Sequence, residues 1–287
     1  MKSLYLSVLE YNPYVQKIHL LETRLMDVIP ALVTENFDYV VDLHNNYRSK
    51  KVSRALQIPV FRIKKERIGL WLLTNLGIGK FQRTHIVDRF LKVIQPLADG
   101  MSSQSIMPQF HPGKEFKARD LSEEYMVIAI GAAYFTKQIP IHILLEVING
   151  VHIQCVLIGG EMDLPRAEKL ISKLDKRVVS LVGKLNISES ASIIQKARVV
   201  LAGDTGMMHI ANALGTPLVA VFGSTHPMLG YSPYNPSRNG KNIVVENNGL
   251  SCRPCTKQGK HKCPKKHFKC MLELNSGDII DKIQAFI

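Results

Sequence analysis

Long apolar runs are missing from this 287-residue sequence: the longest, "MVIAIGAAYF" over 126–135, is about half of the roughly 20 residues a helix needs to cross a bilayer. A membrane-spanning helix is thereby excluded. The opening "MKSLYLSVLEYNPY" is interrupted by Glu10 and Asn12 and is followed by no small-residue cleavage pattern, so a cytoplasmic chain is expected. There is no repeat at solenoid periods and no Walker pattern, and in "GIGKFQ" (77–82) Gln82 stands where a dinucleotide fingerprint needs its third glycine. Acidic residues are few, 24 against 37 lysines and arginines, which leaves a net charge of +13 and points to an anionic partner: nucleic acid, a phospholipid surface or a phosphorylated ligand.

What is present is a globular composition, 46% hydrophobic and 21% charged, in a chain long enough for two domains. Short apolar runs alternate with amphipathic stretches, the pattern of an α/β protein with a doubly wound parallel sheet. Strands are expected at 126–132, 153–160, 177–183, 197–205 and 216–224, with helices from 163 and from 188, where Ser188 is the expected cap. In the first half, "FDYVVDLHNN" (37–46) reads as a buried strand and "YRSKKVSRAL" as the helix after it. The Ser-, Pro- and Gly-rich stretch 101–122 reads as a linker between an N-terminal domain (1–100) and a C-terminal domain (123–287), with a cleft between them.

The stretch "GDTGMMHIANALGTPLVAVFGSTHP" (203–227) carries the clearest chemistry. It reads as a strand end, a turn, and a helix stopping at Gly215. Ligands of open α/β sheets bind beyond the carboxyl ends of strands, where a helix start offers unpaired N–H groups to an anion. Gly206 leaves room for a phosphate, Asp204 and Thr205 can cap the helix or hold hydroxyls, and His209 lies one turn on. Gly223, Ser224 and Thr225 close the next strand with a second turn of small and hydroxyl residues, and together the two turns describe a diphosphate cradle.

The last third holds four of the five cysteines, Cys252, Cys255, Cys263 and Cys270, in a segment (251–270) with six lysines, one arginine and no acid; Cys155 sits alone in an apolar run and reads as a small buried hydrophobe. The C-x-x-C pair is a zinc half-site that the other two cysteines would complete, giving a structural zinc or a nucleic-acid-binding knuckle as the alternative reading of this segment.

The 203–227 stretch resembles the signature of glycosyltransferase family nine, the ADP-heptose:lipopolysaccharide heptosyltransferases. Further segments carry the same likeness: "YNPYVQKI" (11–18), "DYVVDLHNNYRS" (38–49), "TKQIP" (136–140), "LIGGEMD" (157–163) and the cysteine-rich tail. The resemblance implies a GT-B fold of two Rossmann-like domains facing a cleft. It implies inverting transfer of a sugar, heptose from ADP-heptose, to an anionic lipid A and core saccharide acceptor at the inner membrane surface. It implies no cofactor beyond the donor nucleotide sugar and no nucleic-acid partner. Residue by residue, it places Asp204, Thr205, Gly206 and His209 on the donor diphosphate and sugar, Lys137 on the charge developing on the leaving nucleotide, and Glu161 on the ribose hydroxyls. Ala132 and Ala133 stand where relatives often carry hydroxyl or tryptophan side chains. The family's opening strand, glycine–aspartate turn and helix, about 50 residues by ordinary element lengths, have no counterpart, because the match to "VLEYNPYV" begins at residue 8. With them goes the aspartate that serves the family as general base, and Asp27, Asp38 and Asp42 lie in other segments. The expectation is a truncated glycosyltransferase that binds ADP or an ADP-sugar and transfers poorly; a nucleotide-sugar epimerase of the same fold is a further alternative.

Overall fold

The structure, a computed structural model, describes residues 1–76, 83–98, 106–113, 115–118, 120–175, 177–236 and 240–287. The "GIGKFQ" segment and residues 101–105 of the expected linker lie outside them. No helix among the described residues is long and apolar enough to cross a membrane.

The first half holds α1 (Leu25–Val33), β1 (Val40–Asp42), α2 (Tyr47–Leu56), β2 (Val60–Arg62), α3 (Arg67–Leu76) and α4 (Ile86–Ile94). Strands β1 and β2 pair in parallel, Val40 opposite Val60. Helix α2 starts where Asn46 accepts from the Ser49 amide and the Ser49 hydroxyl accepts from the Asn46 amide, a capping box in which serine replaces the usual glutamate. The expected buried strand over 37–46 is shorter and wetter than its sequence suggests: only Asp42 of β1 is buried, and Tyr39 just before it is 46% exposed. The physical reason is that β1 has a single described neighbour, so its apolar side chains are covered on one side only.

The second half is built on a six-stranded parallel sheet. Its strands are β3 (Tyr125–Ala129), β4 (Gln154–Ile158), β5 (Val178–Ser180), β6 (Val199–Gly203), β7 (Leu218–Phe222) and β8 (Asn242–Glu246). Their order, β5-β4-β3-β6-β7-β8, is doubly wound and reverses direction between β3 and β6. Alternate side chains feed two cores. Met126, Ile128, Cys155 and Leu157 pack with α5 (Ile141–Gly150), α6 (Leu164–Ile171), α9 (Lys269–Leu272) and α10 (Ser276–Gln284) on one face. Tyr125, Val127, Val156 and Val200 pack with α7 (Ile187–Lys196) and α8 (Gly206–Leu214) on the other. Covered on both faces, the central strands are continuous apolar runs, which is why they are readable in the sequence. Cys155 is a core residue of β4, and burial pushes its thiol up to about 12.

Two expectations change here. Helix α7 is capped by Asn186, which accepts from the Glu189 amide at 2.9 Å while the Glu189 carboxylate accepts from the Asn186 amide. An asparagine with a glutamate three residues on outcompetes Ser188, whose hydroxyl instead accepts from the Gly113 amide at 2.6 Å. The described part of the linker is also not a free tether: Phe110, Phe116, Ala118 and Leu121 pack on the α7–α8 core, and the Phe116 amide donates to the Ser192 hydroxyl. The ring of Tyr14 meets His111 edge-on, so the start of the chain lies against this same segment.

A second seam joins the halves. The Arg83 and Ile86 amides donate to the carbonyls of Met228 and Gly230, the Tyr234 hydroxyl donates to Asp88 at 2.6 Å, and Leu70 and Leu73 of α3 pack on Leu229. Residues 83–88 are thereby fixed to the turn that follows β7.

Candidate functional site

The reversal between β3 and β6 splays the loops at their carboxyl ends, and these loops carry the polar residues of the site. After β6, Asp204 is buried and its carboxylate meets the Lys137 ammonium, from the β3 loop, at 2.9 Å. Both partners are largely shielded from water, so the pair is held far better than a surface salt bridge. Gly203 makes this possible: a Cβ there would stand 2.5 Å from the Lys137 carbonyl oxygen, so any side chain would push the two loops apart.

Thr205 occupies the N-cap position of α8 with extended backbone, but its hydroxyl does not cap the helix. Its Oγ1 is buried and has no hydrogen-bond partner. A buried hydroxyl without a partner costs about 1–3 kcal/mol, and this one borders open space at a helix N-terminus. Nothing lies within 4 Å of where a Cβ on Gly206 would point. The result is a small polar mouth in which the α8 amides, the Thr205 hydroxyl and the Lys137 ammonium are the available donors. The helix ends where Gly215 turns left-handed at φ 72°, the stop expected from its sequence.

His209 lies one turn along α8. Desolvation in the cleft holds its imidazole below the ordinary range; Asp204 opposes this, while His85 and Lys137 add to it. The His85 interaction places the first half's residue 85 beside the α8 mouth, and the His85 ring is itself fixed by the Ser232 carbonyl at 2.7 Å.

Next to the mouth is a cavity of about 370 Å³. Ala129, Ile158, Leu185, Ile187 and Met207 give it apolar walls, and Asp163, Asn186, Ser190 and Thr205 supply polar groups. An apolar slot with a few polar groups is the composition of a small-ligand site. Ala132 and Ala133 line it as well, so the loop in which relatives often place larger side chains is a wall of methyl groups here.

The expected residues therefore separate into three groups. Lys137, Asp204, Thr205, Gly206 and His209 come together at the α8 mouth. Glu161 is exposed and lies outside the cavity wall; two residues on, Asp163 is in it, accepts from the Gly160 amide at 2.9 Å, and would collide with any side chain at Gly131. Gly223 and Thr225 lie outside the cavity wall too. Gly223 is small because Met271 would lie 2.7 Å from its Cβ, and the Thr225 Oγ1 is buried without a partner. Ser224 donates to the Thr136 hydroxyl at 2.8 Å, joining the β7 turn to the loop that holds Lys137.

Arg253, from the cysteine-rich tail, organises the β7 turn. Its guanidinium donates to the carbonyls of Phe222, Gly223, Thr225 and Asn247 and to Glu246 at 2.7 Å. The tail also reaches the β3 loop: the Thr136 amide donates to the Lys260 carbonyl, and the Lys260 amide donates back to the Thr136 hydroxyl at 2.8 Å. The tetrahedral zinc set expected there does not form. Among the described residues no group of three or more His, Cys, Asp or Glu side chains is placed to hold a metal ion. Cys270 is turned into the core on α9 while Cys252 faces His267 at 3.8 Å, and burial raises the thiols of Cys255 and Cys270, the latter to about 12. Asp163, Asn186, Ser190, His85 and Arg253 were not anticipated. Only Asp163 had a sequence signal, since it closes "GGEMD"; the others come to the site from distant segments.

The model of glycosyltransferase family 9 (heptosyltransferase) matches residues 26–266. The lipopolysaccharide core heptosyltransferase OpsX of Haemophilus influenzae is 24% identical over 228 residues, a match that covers 75% of this chain and 65% of that protein's length. Among solved structures, the family 9 glycosyltransferase of Veillonella parvula superposes with a TM-score of 0.75 at 18% identity, covering 99% of this chain and 86% of the other. The ADP-heptose lipopolysaccharide heptosyltransferase II of Escherichia coli gives 0.71 at 18% identity, covering 99% and 87%. The likeness to these structures places the parallel α/β architecture in the GT-B type.

Proposed function

The chain belongs to glycosyltransferase family 9, and from that premise we propose that it transfers a heptose from ADP-heptose to the inner-core saccharide of a lipopolysaccharide acceptor, with inversion at the anomeric carbon. The observation that carries this reading is the convergence, at the sheet's reversal point, of the Lys137–Asp204 pair and the partnerless Thr205 hydroxyl at the mouth of α8, beside a slot of nucleoside size. The relatives' names supply the donor and acceptor classes: a lipopolysaccharide core heptosyltransferase and an ADP-heptose enzyme.

In this reading the adenine lies between Ile158, Leu185 and Ile187, and the ribose hydroxyls reach Asp163, the carboxylate on the cavity wall, in place of Glu161. The diphosphate sits on the α8 amides and takes the Thr205 hydroxyl as a donor. Lys137 turns part of its charge from Asp204 to the phosphates. The acceptor oxygen forms a bond to the anomeric carbon as the bond from that carbon to the phosphate oxygen breaks; the hydroxyl proton leaves to a base and the negative charge collects on ADP, where Lys137 and the helix dipole stabilise it. Asp42 and Asp27 are not assigned the role of base. Asp42 accepts four hydrogen bonds, from the His44 and Asn45 amides, Ser49 and Arg62, and Asp27 is bound to Thr23 and Arg24 at the start of α1. The division into an acceptor-side domain (1–100), a linker (101–122) and a donor-side domain (123–287) is part of the same proposal.

Thermal melts with ADP test the site. ADP at a hundred times its Kd stabilises the folded chain by about 2.7 kcal/mol, and Lys137→Ala removes most of that shift while slowing transfer by about 10²–10³-fold. No shift with ADP, or an unchanged shift in Lys137→Ala, sinks the reading. His209 adds a pH signature. Its imidazole is neutral at pH 7 because its pKa is lowered, and a bound diphosphate raises that pKa, so binding takes up protons below about pH 6.5. Calorimetry in buffers of different ionisation enthalpy reads this uptake, and His209→Asn abolishes it.

A further inference from the structure

The basic tail makes two kinds of contact, and only one of them is used to fold it. Its inner side is held by backbone groups, by Thr256 and by Arg253: the Gly259 amide donates to the Thr256 hydroxyl, the Thr136 loop exchanges bonds with Lys260, and the Cys255 amide donates to the Ser224 carbonyl. The lysine ammoniums take no part. Lys257, Lys260, Lys262, Lys265 and Lys266 are exposed, and among the described residues no carboxylate pairs with any of them; Lys269 alone has a partner, Glu273 at 3.3 Å. Five like charges on one short, irregular segment repel one another. Their retention on a strap bound to the Lys137 loop points to an external anion.

Apolar groups border the charges. Phe135, 47% exposed, stacks on Phe268 of the strap at a centroid distance of 4.9 Å, and Leu272, 46% exposed, donates its amide to the Phe268 carbonyl. A rim of lysines around an exposed aromatic and an exposed leucine has the chemistry of an interfacial membrane anchor, with cations for headgroups and apolar tips for the acyl boundary. Nucleic-acid binding would use the lysines but would leave Leu272 without a role.

We propose that the strap over 256–269, with Phe135 and Leu272, is a docking surface for an anionic lipid bilayer, which brings the α8 mouth to the membrane plane. The proposal draws on the functional reading only for why such docking is useful, since a lipid-borne acceptor would be met there. Binding to vesicles is measured without donor or acceptor, so its failure and the failure of ADP stabilisation are separate results.

The experiment is co-sedimentation of the full chain with vesicles of phosphatidylcholine alone and of phosphatidylcholine mixed with phosphatidylglycerol, at low and at physiological salt. The expected result is binding to the mixed vesicles only, weakened by salt. Each lysine near the surface contributes about a fivefold factor in partitioning, so K257Q/K262Q/K265Q/K266Q lowers it by on the order of a hundredfold or more. The melting temperature and the ADP shift of this variant stay as in the parent, because these side chains hold nothing in the fold. Leu272→Ser weakens the binding that survives at higher salt. Equal partitioning of parent and quadruple variant overturns the proposal, as does binding to neutral vesicles alone. Displacement of the chain from mixed vesicles by duplex RNA or DNA that binds through the same four lysines, with Leu272→Ser without effect, overturns it in favour of a nucleic-acid surface.

Discussion

The two halves of the molecule are held by different physics. In the second, the strands bury aliphatic side chains on both faces, and Val200, Leu201 and Val219 have no exposed surface. In the first, the β1–β2 pair is organised by one carboxylate: Asp42 accepts from two amides, Ser49 and Arg62, and the Arg62 guanidinium goes on to Ser53 at 2.7 Å. The first half also borrows order from the second through the seam at 83–88 and 227–234. The apolar half can therefore hold a preorganised site in which a lysine and an aspartate are shielded together, whereas the polar half depends on a hub whose loss loosens every element around it.

Three substitutions would break or sharpen this contrast. Leu201→Ala, at the middle of β6, is expected to cost about 2–5 kcal/mol because the sheet is covered on both faces and cannot collapse onto the cavity, read as a fall in the urea midpoint and in ADP affinity together. Asp42→Asn is expected to cost about 1–3 kcal/mol, since Arg62 keeps partial access to solvent and is left without its counter-charge. Its effect should appear as faster proteolysis or hydrogen exchange around 40–62 while the ADP shift survives; loss of the two together would show that the halves unfold as one unit. Asp42 also has a pH signature. Burial acts to raise its pKa, but the Asn45 amide, Arg62, Ser49 and the His44 amide outweigh it and lower the net value. Its contribution is thus present above the unfolded aspartate value near 3.9 and is lost as pH falls below it, so the parent but not Asp42→Asn should lose protection of 40–62 in mild acid. The smallest change is Asn186→Ala, which removes the α7 cap for about 1 kcal/mol; because Asn186 also lines the cavity, a fall in ADP affinity with only this small fall in stability would assign it a second role.

Legibility followed burial. Strands β3, β4, β6 and β7 were readable to within a few residues because two-sided burial makes them unbroken apolar runs, and α2 was readable from its polar start and basic face. The edge strand β8 was missed because "NIVVE" is only half covered and mixes polar with apolar residues. At the site, the "GDTG" turn showed its purpose because strand, turn and helix are adjacent in the chain. Choosing Asp163 over Glu161 required the tight turn after β4 to set which carboxylate faces Gly131. The zinc expectation failed for a related reason: spacing brought four thiols into one segment, while packing sent Cys270 into the core.

The sequence by itself determined the family, the doubly wound half and the GDTG mouth, because each is written in local patterns of burial and turn chemistry. Only the tertiary structure decided that Lys137 neutralises Asp204, that the Thr205 hydroxyl is left for a ligand, that Arg253 sets the β7 turn, and that five tail lysines face outward with no partner. Those outcomes depend on which distant segments meet when the sheet reverses direction, and the geometry of that meeting is a property of the packed chain.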